Sequence, residues 1–493
     1  VDVRRPLLGS TACCERGARD GKIMAAPAGR RKLNIVVEGC CHGELPAIYA
    51  SVLKMEQIKG IKVDLLICCG DFQCLRNTQD FDGLACPDKY KHLGTFHKYY
   101  SGELVAPVLT IFIGGNHEAS SYLQELHYGG WVAPNIYFLG FAGVVRVGGV
   151  RIAGMTGIFN GRSYKEGRHE RPPYNRDTLR SVYYVRELEV FKLAQLTGHV
   201  DLVLSHDWPR GIVRYGDARY LFRKKPFFKA EVEDNTLGSA AAEQLLHKVQ
   251  PDYWFAAHLH VKFPAVVRHG SPREGQGREG SEVKGVTRFL SLDKCLPHRD
   301  FLQLVSVPRP EGQEQGPGAA GGGEGDEVLL EYDVEWLSIV QESHYLLSNS
   351  RGHVDLPFET PRVQVEQMAS IREALAARGL PGGPLVIPEN FAMTAPPPSQ
   401  MECQGQKSSK PPQSLLPNPQ TDEFLAMLGL DHVVTVPCPG FQSRFGGGGG
   451  GGGSGHGEGN GGGDAEGAAV VQDDKYEIDL DAARDDPNEI QLD

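Results

Sequence analysis

The sequence predicts an α/β sandwich that carries a C-terminal extension and a disordered tail. Two observations lead to that class. Short β-rich apolar runs alternate with stretches of helical period over the first half of the chain, and the 493 residues suffice for a large core. Glycine- and proline-rich segments then interrupt the second half, where glycine forfeits backbone entropy and supplies no side chain to bury.

Taken in order, residues 1–31 show no apolar periodicity, and folding is expected to begin at Lys32, just before the run Asn34–Val37. Met24 is the first methionine, so the residues before it read as an upstream extension or fragment. Further strand-like runs follow at Val63–Cys69, Val105–Ile113, Asn135–Phe141, Val144–Ile152, Val200–Ser205 and Tyr253–Ala257. Helical stretches at Leu45–Lys59 and Arg180–Leu196 lie between them. Low-complexity insertions are expected at 269–284 and 308–327, with a compact segment between them and a folded apolar block at Val328–Leu347. Residues 348–445 read as a mostly disordered, proline-rich region with apolar islands at Leu385–Phe391 and Phe424–Leu430. Residues 446–493 read as a glycine-rich linker and an acidic tail. No internal repeat is visible.

The net charge is 51 − 62 = −11, but its placement matters more than its sum. Between Asp464 and Asp493 there are 11 acidic residues against Lys475 and Arg484, a balance of −9, which leaves only −2 for the rest. A polyanionic substrate is therefore compatible with the folded part. No stretch reaches the ~18 uninterrupted apolar residues of a membrane helix, and no signal-peptide core follows Arg4 and Arg5. The 11 cysteines include three adjacent pairs and no C-x-x-C spacing, as expected of free thiols in a reducing compartment.

Five short motifs carry the chemistry: Gly39-Cys40-Cys41-His42, Gly70-Asp71, Gly114-Gly115-Asn116-His117-Glu118, Ser205-His206-Asp207 and His258-Leu259-His260. Each follows an apolar run, and in α/β folds the carboxyl ends of strands are where site residues collect. One strand-end histidine is ordinarily a core or surface residue. Five metal-competent motifs in succession leave that reading little room. On an extended backbone, residues two apart share a side, so Cys40 should project with His42, and His258 with His260. Asp71 can bridge two cations ~3.5–4 Å apart, with Asn116 and His206 as neutral donors. Cations so spaced provide hydroxide at neutral pH and offset charge growing on phosphorus, which is the chemistry of phosphoester hydrolysis.

The motif order resembles the calcineurin-like metallophosphoesterases, with D-x-H, G-D, G-N-H-[DE], H and G-H-x-H in succession. Here Cys40 stands for the first Asp and Ala257 for the last Gly. The cysteine, together with Gly39–Leu45, Ser205–Arg210, Trp254–Phe263 and Leu292–Phe301, is similar to the RNA lariat debranching family. The resemblance covers Leu33–Ser306 and, more weakly, Val328–Leu347. It implies an αββα sandwich with a catalytic domain over 32–268 and a debranching-family region over 285–347. It also implies one metal on Cys40, His42, Asp71 and His260, and a second on Asp71, Asn116, His206 and His258. By the same resemblance His117 contacts the scissile phosphate and serves the leaving oxygen, while Glu118 holds the His117 imidazole. Asp207 is left either as a similar support or as a plain loop carboxylate. Thiolate is a soft ligand, so of the two divalent ions the one at the Cys40 site is expected to be Fe(II) or Zn(II), with Mn(II) as a substitute.

Two stretches can read the substrate. Arg162–Arg180 holds six Lys/Arg against three acidic residues, interleaved with Phe159, Tyr164 and Tyr174. Cations suit phosphate, and aromatic faces suit unpaired bases. The resemblance marks 156–174 as the lariat-recognition loop, with Tyr164, Arg168 and Tyr174 as the RNA contacts. The second stretch, Arg210–Lys229, holds seven Lys/Arg and one acid. The implied function is hydrolysis of the 2′,5′-phosphodiester at the branch point of excised intron lariats, in the nucleus. A less selective metal-dependent phosphodiesterase or nuclease and a non-catalytic scaffold are the alternatives. For the C-terminal region, binding of protein partners and plain disorder both remain open.

Overall fold

The computed structural model describes residues 32–270, 285–310, 328–357, 365–376, 385–405 and 412–439. The extension 1–31, most of the insertions 269–284 and 308–327, and the linker and tail 446–493 lie outside the described residues.

Thirteen described strands follow in chain order: β1 (Lys32–Glu38), β2 (Leu65–Cys68), β3 (Thr110–Phe112), β4 (Gly130–Ala133), β5 (Ile136–Phe138), β6 (Ala142–Val147), β7 (Val150–Met155), β8 (Leu202–Ser205), β9 (Tyr253–Ala256), β10 (Phe263–His269), β11 (Gly285–Ser291), β12 (Leu302–Pro308) and β13 (Leu330–Tyr332). They form two sheets, ordered β12-β1-β2-β3-β5-β4 and β10-β11-β9-β8-β7-β6-β13. The central strands of both are parallel: β1, β2, β3 and β5 in the first, β11, β9, β8 and β7 in the second.

Alternation along β1 shows how the layers arise. Leu33, Ile35 and Val37 face the second sheet and pack with Ile152, Leu202, Leu204 and Phe255. Val36 turns the other way, toward Ile48, Tyr49 and Val52 of the helix Leu45–Lys59. A strand buried on both faces reads as a continuous apolar run, as this one does. The helix Glu187–Leu193 packs on β6 and β7 of the second sheet, completing an αββα sandwich. Among the described residues no helix is long and apolar enough to cross a membrane.

Three expectations are corrected. The run Val144–Ile152 is not one strand but the turn and arms of the β6–β7 hairpin, because Gly148 (φ 55°) and Gly149 (φ 86°) take left-handed backbone that reverses the chain. The helical stretch Arg180–Leu196 is broken into Thr178–Ser181 and Glu187–Leu193. The largest correction concerns 348–445, where 385–405 and 412–439 are ordered against the sandwich. Gln420 exchanges hydrogen bonds with the Trp131 backbone (2.7 and 2.9 Å), Tyr100 bonds the Ala395 backbone in both directions (2.9 Å each), and Arg76 Nη1 donates to Thr394 (2.8 Å). Proline-rich chain lacks periodicity, yet these long-range bonds fix it: Tyr100 satisfies the Ala395 backbone, while the Gln420 and Thr394 side chains dock on the sandwich.

Candidate metal centre

The five motifs converge. Cys40 follows β1, Asp71 follows β2, Asn116 and His117 follow β3, His206 follows β8, and His258 and His260 follow β9. Donor atoms of Cys40, His42, Asp71 and His260 all lie within 4.8 Å of one another. His42 Nε2 is 3.5 Å from His260 Nε2 and 3.6 Å from Asp71 Oδ2. On the other side of Asp71, His206 Nε2 lies 3.3 Å from Oδ1 and 3.2 Å from Asn116 Oδ1, and the His206 and His258 rings are 5.0 Å apart. Asp71 thus has one oxygen toward each group of donors.

The route to this geometry differs from the extended pairing expected of Cys40 with His42 and His258 with His260. Both strands have ended before these residues, and His42, Asp71, His258 and His260 all have left-handed backbone (φ 46°, 47°, 64° and 47°). Such conformations cost ~1–3 kcal/mol each and persist where surrounding structure enforces them. Here the enforcement is visible: His42 N donates to Asp71 O (2.6 Å), Cys41 N to Gly70 O (3.3 Å) and His258 N to Cys40 Sγ (3.2 Å). Gly115 is required, since a Cβ there would sit 2.2 Å from Asp71 Oδ1.

Neighbours orient the donors. His206 Nδ1 donates to the Cys69 carbonyl (2.8 Å), leaving Nε2 toward Asp71 and Asn116. The amide of His117 donates to Asp71 Oδ1 (2.9 Å), while its ring Nδ1 donates to the Ala85 carbonyl (2.9 Å). Glu118 therefore does not hold the His117 imidazole. Its carboxylate instead takes the backbone amides of Phe72 (2.7 Å), Gln73 (2.9 Å) and Gly115 (2.9 Å), stitching the Asp71 and Asn116 loops together. Asp207 is a local support: it accepts from the amides of Trp208 (2.8 Å) and Phe159 (3.4 Å). Sequence reasoning also missed Gln73, whose side-chain amide is 3.2 Å from His42 Nδ1. No motif signal marks it or the Ala85 carbonyl.

Electrostatics prepare this cluster for cations. Burial pushes His42 down to about 4 and His258 down to about 3, and lowers His260 strongly, so three imidazoles are neutral donors at neutral pH. Burial opposes ionisation of Asp71, but the His206, His117 and His42 rings outweigh it and hold the carboxyl well below its usual range. Burial opposes charge on His206 as well, yet Asp71 raises it. Burial, with Asp71 and Glu38 adding to it, raises the Cys40 thiol. A cation would reverse that last effect, and one thiol, one carboxylate and three neutral imidazoles in a buried knot form a donor set that fits divalent metal ions.

The expected RNA contacts are placed less uniformly. Tyr164 is half-buried, with its ring 5.3 Å from Phe159. Tyr174 is half-buried and its hydroxyl donates to Gln124 Oε1 (2.5 Å). Arg168 is corrected: at 3% exposure it pairs with Glu189 (3.2 Å), donates to the Val182 carbonyl (3.0 Å) and lies over Phe141, so it anchors the loop from below. A charge run in sequence does not reveal which cations already have buried partners.

Comparison with known proteins agrees with this geometry. Residues 33–262 match the family of calcineurin-like phosphoesterases, and residues 284–433 match the C-terminal domain of lariat debranching enzymes. The second match runs past 347, where the sequence had suggested that the debranching-family region ends. The chain is 50% identical to the lariat debranching enzyme of Danio rerio, spanning 81% of this chain and 66% of that protein. It is 48% identical to lariat debranching enzyme A of Xenopus laevis (81% and 70%) and 48% identical to the lariat debranching enzyme of Drosophila melanogaster (81% and 78%). A sandwich whose strand ends gather such donors, continued by this C-terminal region, places the chain in the lariat debranching enzyme family of calcineurin-like phosphoesterases.

Proposed function

We propose that the chain hydrolyses the 2′,5′-phosphodiester at the branch point of excised intron lariats and yields linear RNA. The observation that carries the proposal is the two groups of donors meeting at Asp71, within a chain whose relatives are lariat debranching enzymes. Cys40, His42, Asp71 and His260 would hold one divalent ion, and Asp71, Asn116, His206 and His258 the other. When bound, such ions supply an activated water and electrostatic stabilisation at phosphorus. The soft thiol favours Fe(II) or Zn(II), with Mn(II) as a substitute.

His117 is assigned to the leaving 2′-oxygen. Its Nδ1–H is held by the Ala85 carbonyl, so the ring keeps its orientation, and in the doubly protonated imidazole the proton on Nε2 is the one given to the leaving oxygen. Half-buried Tyr164 and Tyr174 are offered as aromatic faces for unpaired bases, beside the exposed cations of the same loop. A nuclear location and branched intron RNA as substrate follow from the same reading, and protein partners are assigned to the C-terminal region.

The test is to incubate metal-loaded protein with 2′,5′-branched RNA and a matched linear RNA, with His117→Ala alongside. Preferential cleavage at the branch is expected, with about a hundredfold or greater loss in His117→Ala. Faster cleavage of the linear RNA would favour the nuclease alternative, and undiminished activity of His117→Ala would remove its assignment.

A further inference from the structure

A lysine stands beside the metal-donor cluster without being one of its donors. Lys294 belongs to the segment that follows β11, and that segment lies directly against the end of β1. Cys40 N donates to Asp293 O (3.3 Å) and Cys295 N donates to Cys40 O (3.2 Å), so Cys40 and Lys294 form a parallel bridge. The approach is so close that a Cβ on Gly39 would lie 2.0 Å from Asp293 O. Residues opposed across a parallel pair project to the same side. Lys294 therefore leaves the backbone on the side where Cys40 Sγ meets the other donors.

The side chain is buried (7% exposed), yet among the described residues no carboxylate lies within ion-pair distance of its ammonium and no hydrogen bond is made by it. The neighbouring Asp293 is otherwise engaged, accepting from the Lys294 backbone amide (2.7 Å) and from Arg299 (3.4 Å). The Lys294 ammonium nitrogen is nevertheless still reached by solvent and lies in the field of Asp293, Cys40 and Asp71, so an incoming anion can meet it without displacing a bonded partner. Its field reaches the site, where its charge helps to lower both His42 and His260.

We propose that Lys294 is a substrate-positioning residue that holds a non-bridging oxygen of the phosphodiester at the Cys40 edge of the donor cluster. The ammonium then exchanges solvent for a charge-assisted hydrogen bond when phosphate is present. This proposal rests on the phosphoesterase reading, but not on the choice of branched RNA.

The test uses the full chain loaded with metal and two variants, Lys294→Met and Lys294→Arg. Three quantities are measured: bound metal per chain by elemental analysis, the Kd of inorganic phosphate by calorimetry, and hydrolysis of bis(p-nitrophenyl) phosphate. Lys294→Met is expected to keep the metal content of the unsubstituted protein and to weaken phosphate binding about tenfold to a hundredfold. Lys294→Arg should remain within a few fold. Unchanged phosphate affinity in a metal-replete Lys294→Met protein would overturn the proposal. So would loss of metal in both variants, which would make Lys294 a support of the thiol ligand. If Lys294→Met alone loses metal, an Arg variant that is metal-replete and binds phosphate normally upholds it. Because a simple diester is used, the outcome stands whether or not branched RNA is the substrate.

Discussion

The donor cluster and the loop 156–174, proposed above to read the RNA, are built on opposite plans. Every donor sits at the end of a strand or in the turn that follows it, and its neighbours in the cluster come from the same sandwich. The loop, in contrast, is braced by chain almost two hundred residues away. Gly167 N donates to Ser350 O (2.9 Å), Arg168 N to Ser348 O (2.8 Å), and Val354 N to Lys165 O (2.8 Å). Arg171 reaches Asn349 (2.9 Å) and the Val434 carbonyl (2.8 Å). The proposed chemistry is thus local to the sandwich, while the surface proposed for substrate depends on the C-terminal region.

The largest effect expected from this contrast is at Asp71. Asp71→Ala removes the carboxylate shared by both groups of donors, and activity should fall by at least about a thousandfold with bound metal lost. Activity on a simple diester and on branched RNA should fall together. A variant that loses only RNA cleavage would break the division between chemistry and recognition.

Next is Arg168. Arg168→Met removes the guanidinium partner of Glu189 and leaves that carboxylate with the Arg186 amide (3.0 Å), and loss of one partner of a buried pair costs up to ~3–5 kcal/mol. Thermal unfolding should show a substantially lower Tm. A stable variant with only a reduced salt dependence of RNA binding would restore Arg168 as an RNA contact.

These two residues also show what can be read from sequence. Asp71 is legible because a glycine-aspartate pair after a buried apolar run is a local pattern. Arg168 is not, since its partner Glu189 and its platform Phe141 are brought to it only by tertiary packing. The same holds for 385–405 and for the start of 412–439, where bonds such as Gln420 to Trp131 dock the short helix Pro419–Leu428 onto the sandwich. The left-handed turns at His42 and His258 were hidden for a related reason: hydrogen bonds to other loops hold them, against the preference of the residue type.

A smaller effect is expected from Arg171→Ala. Loss of its bonds to Asn349 and Val434 should cost about 1 kcal/mol of loop ordering, roughly a fivefold rise in KM for branched RNA. Hydrolysis of a simple diester should be unchanged. Equal losses on both substrates would mean that the brace serves the donor cluster too.

The smallest concerns acid. Burial opposes the charge on Glu170, but Arg186, Ser181 and Arg168 outweigh it and hold its carboxyl below the ordinary value of 4.5. A depressed folded value means that the unfolded chain binds the proton more readily, so this stabilisation is present above about 4.5 and is lost as pH falls through the folded value. Glu170→Gln should flatten the dependence of Tm on pH below 4.5. An unchanged slope would show that other carboxylates govern acid unfolding.

Diffraction from metal-loaded crystals at the absorption edges of iron, zinc and manganese is the most direct test of the proposed two-ion centre. Two anomalous peaks are expected, one against Cys40, His42 and His260, the other against Asn116, His206 and His258, with an oxygen of Asp71 on each. A single peak, or ions bound elsewhere with Cys40 uncoordinated, would contradict it.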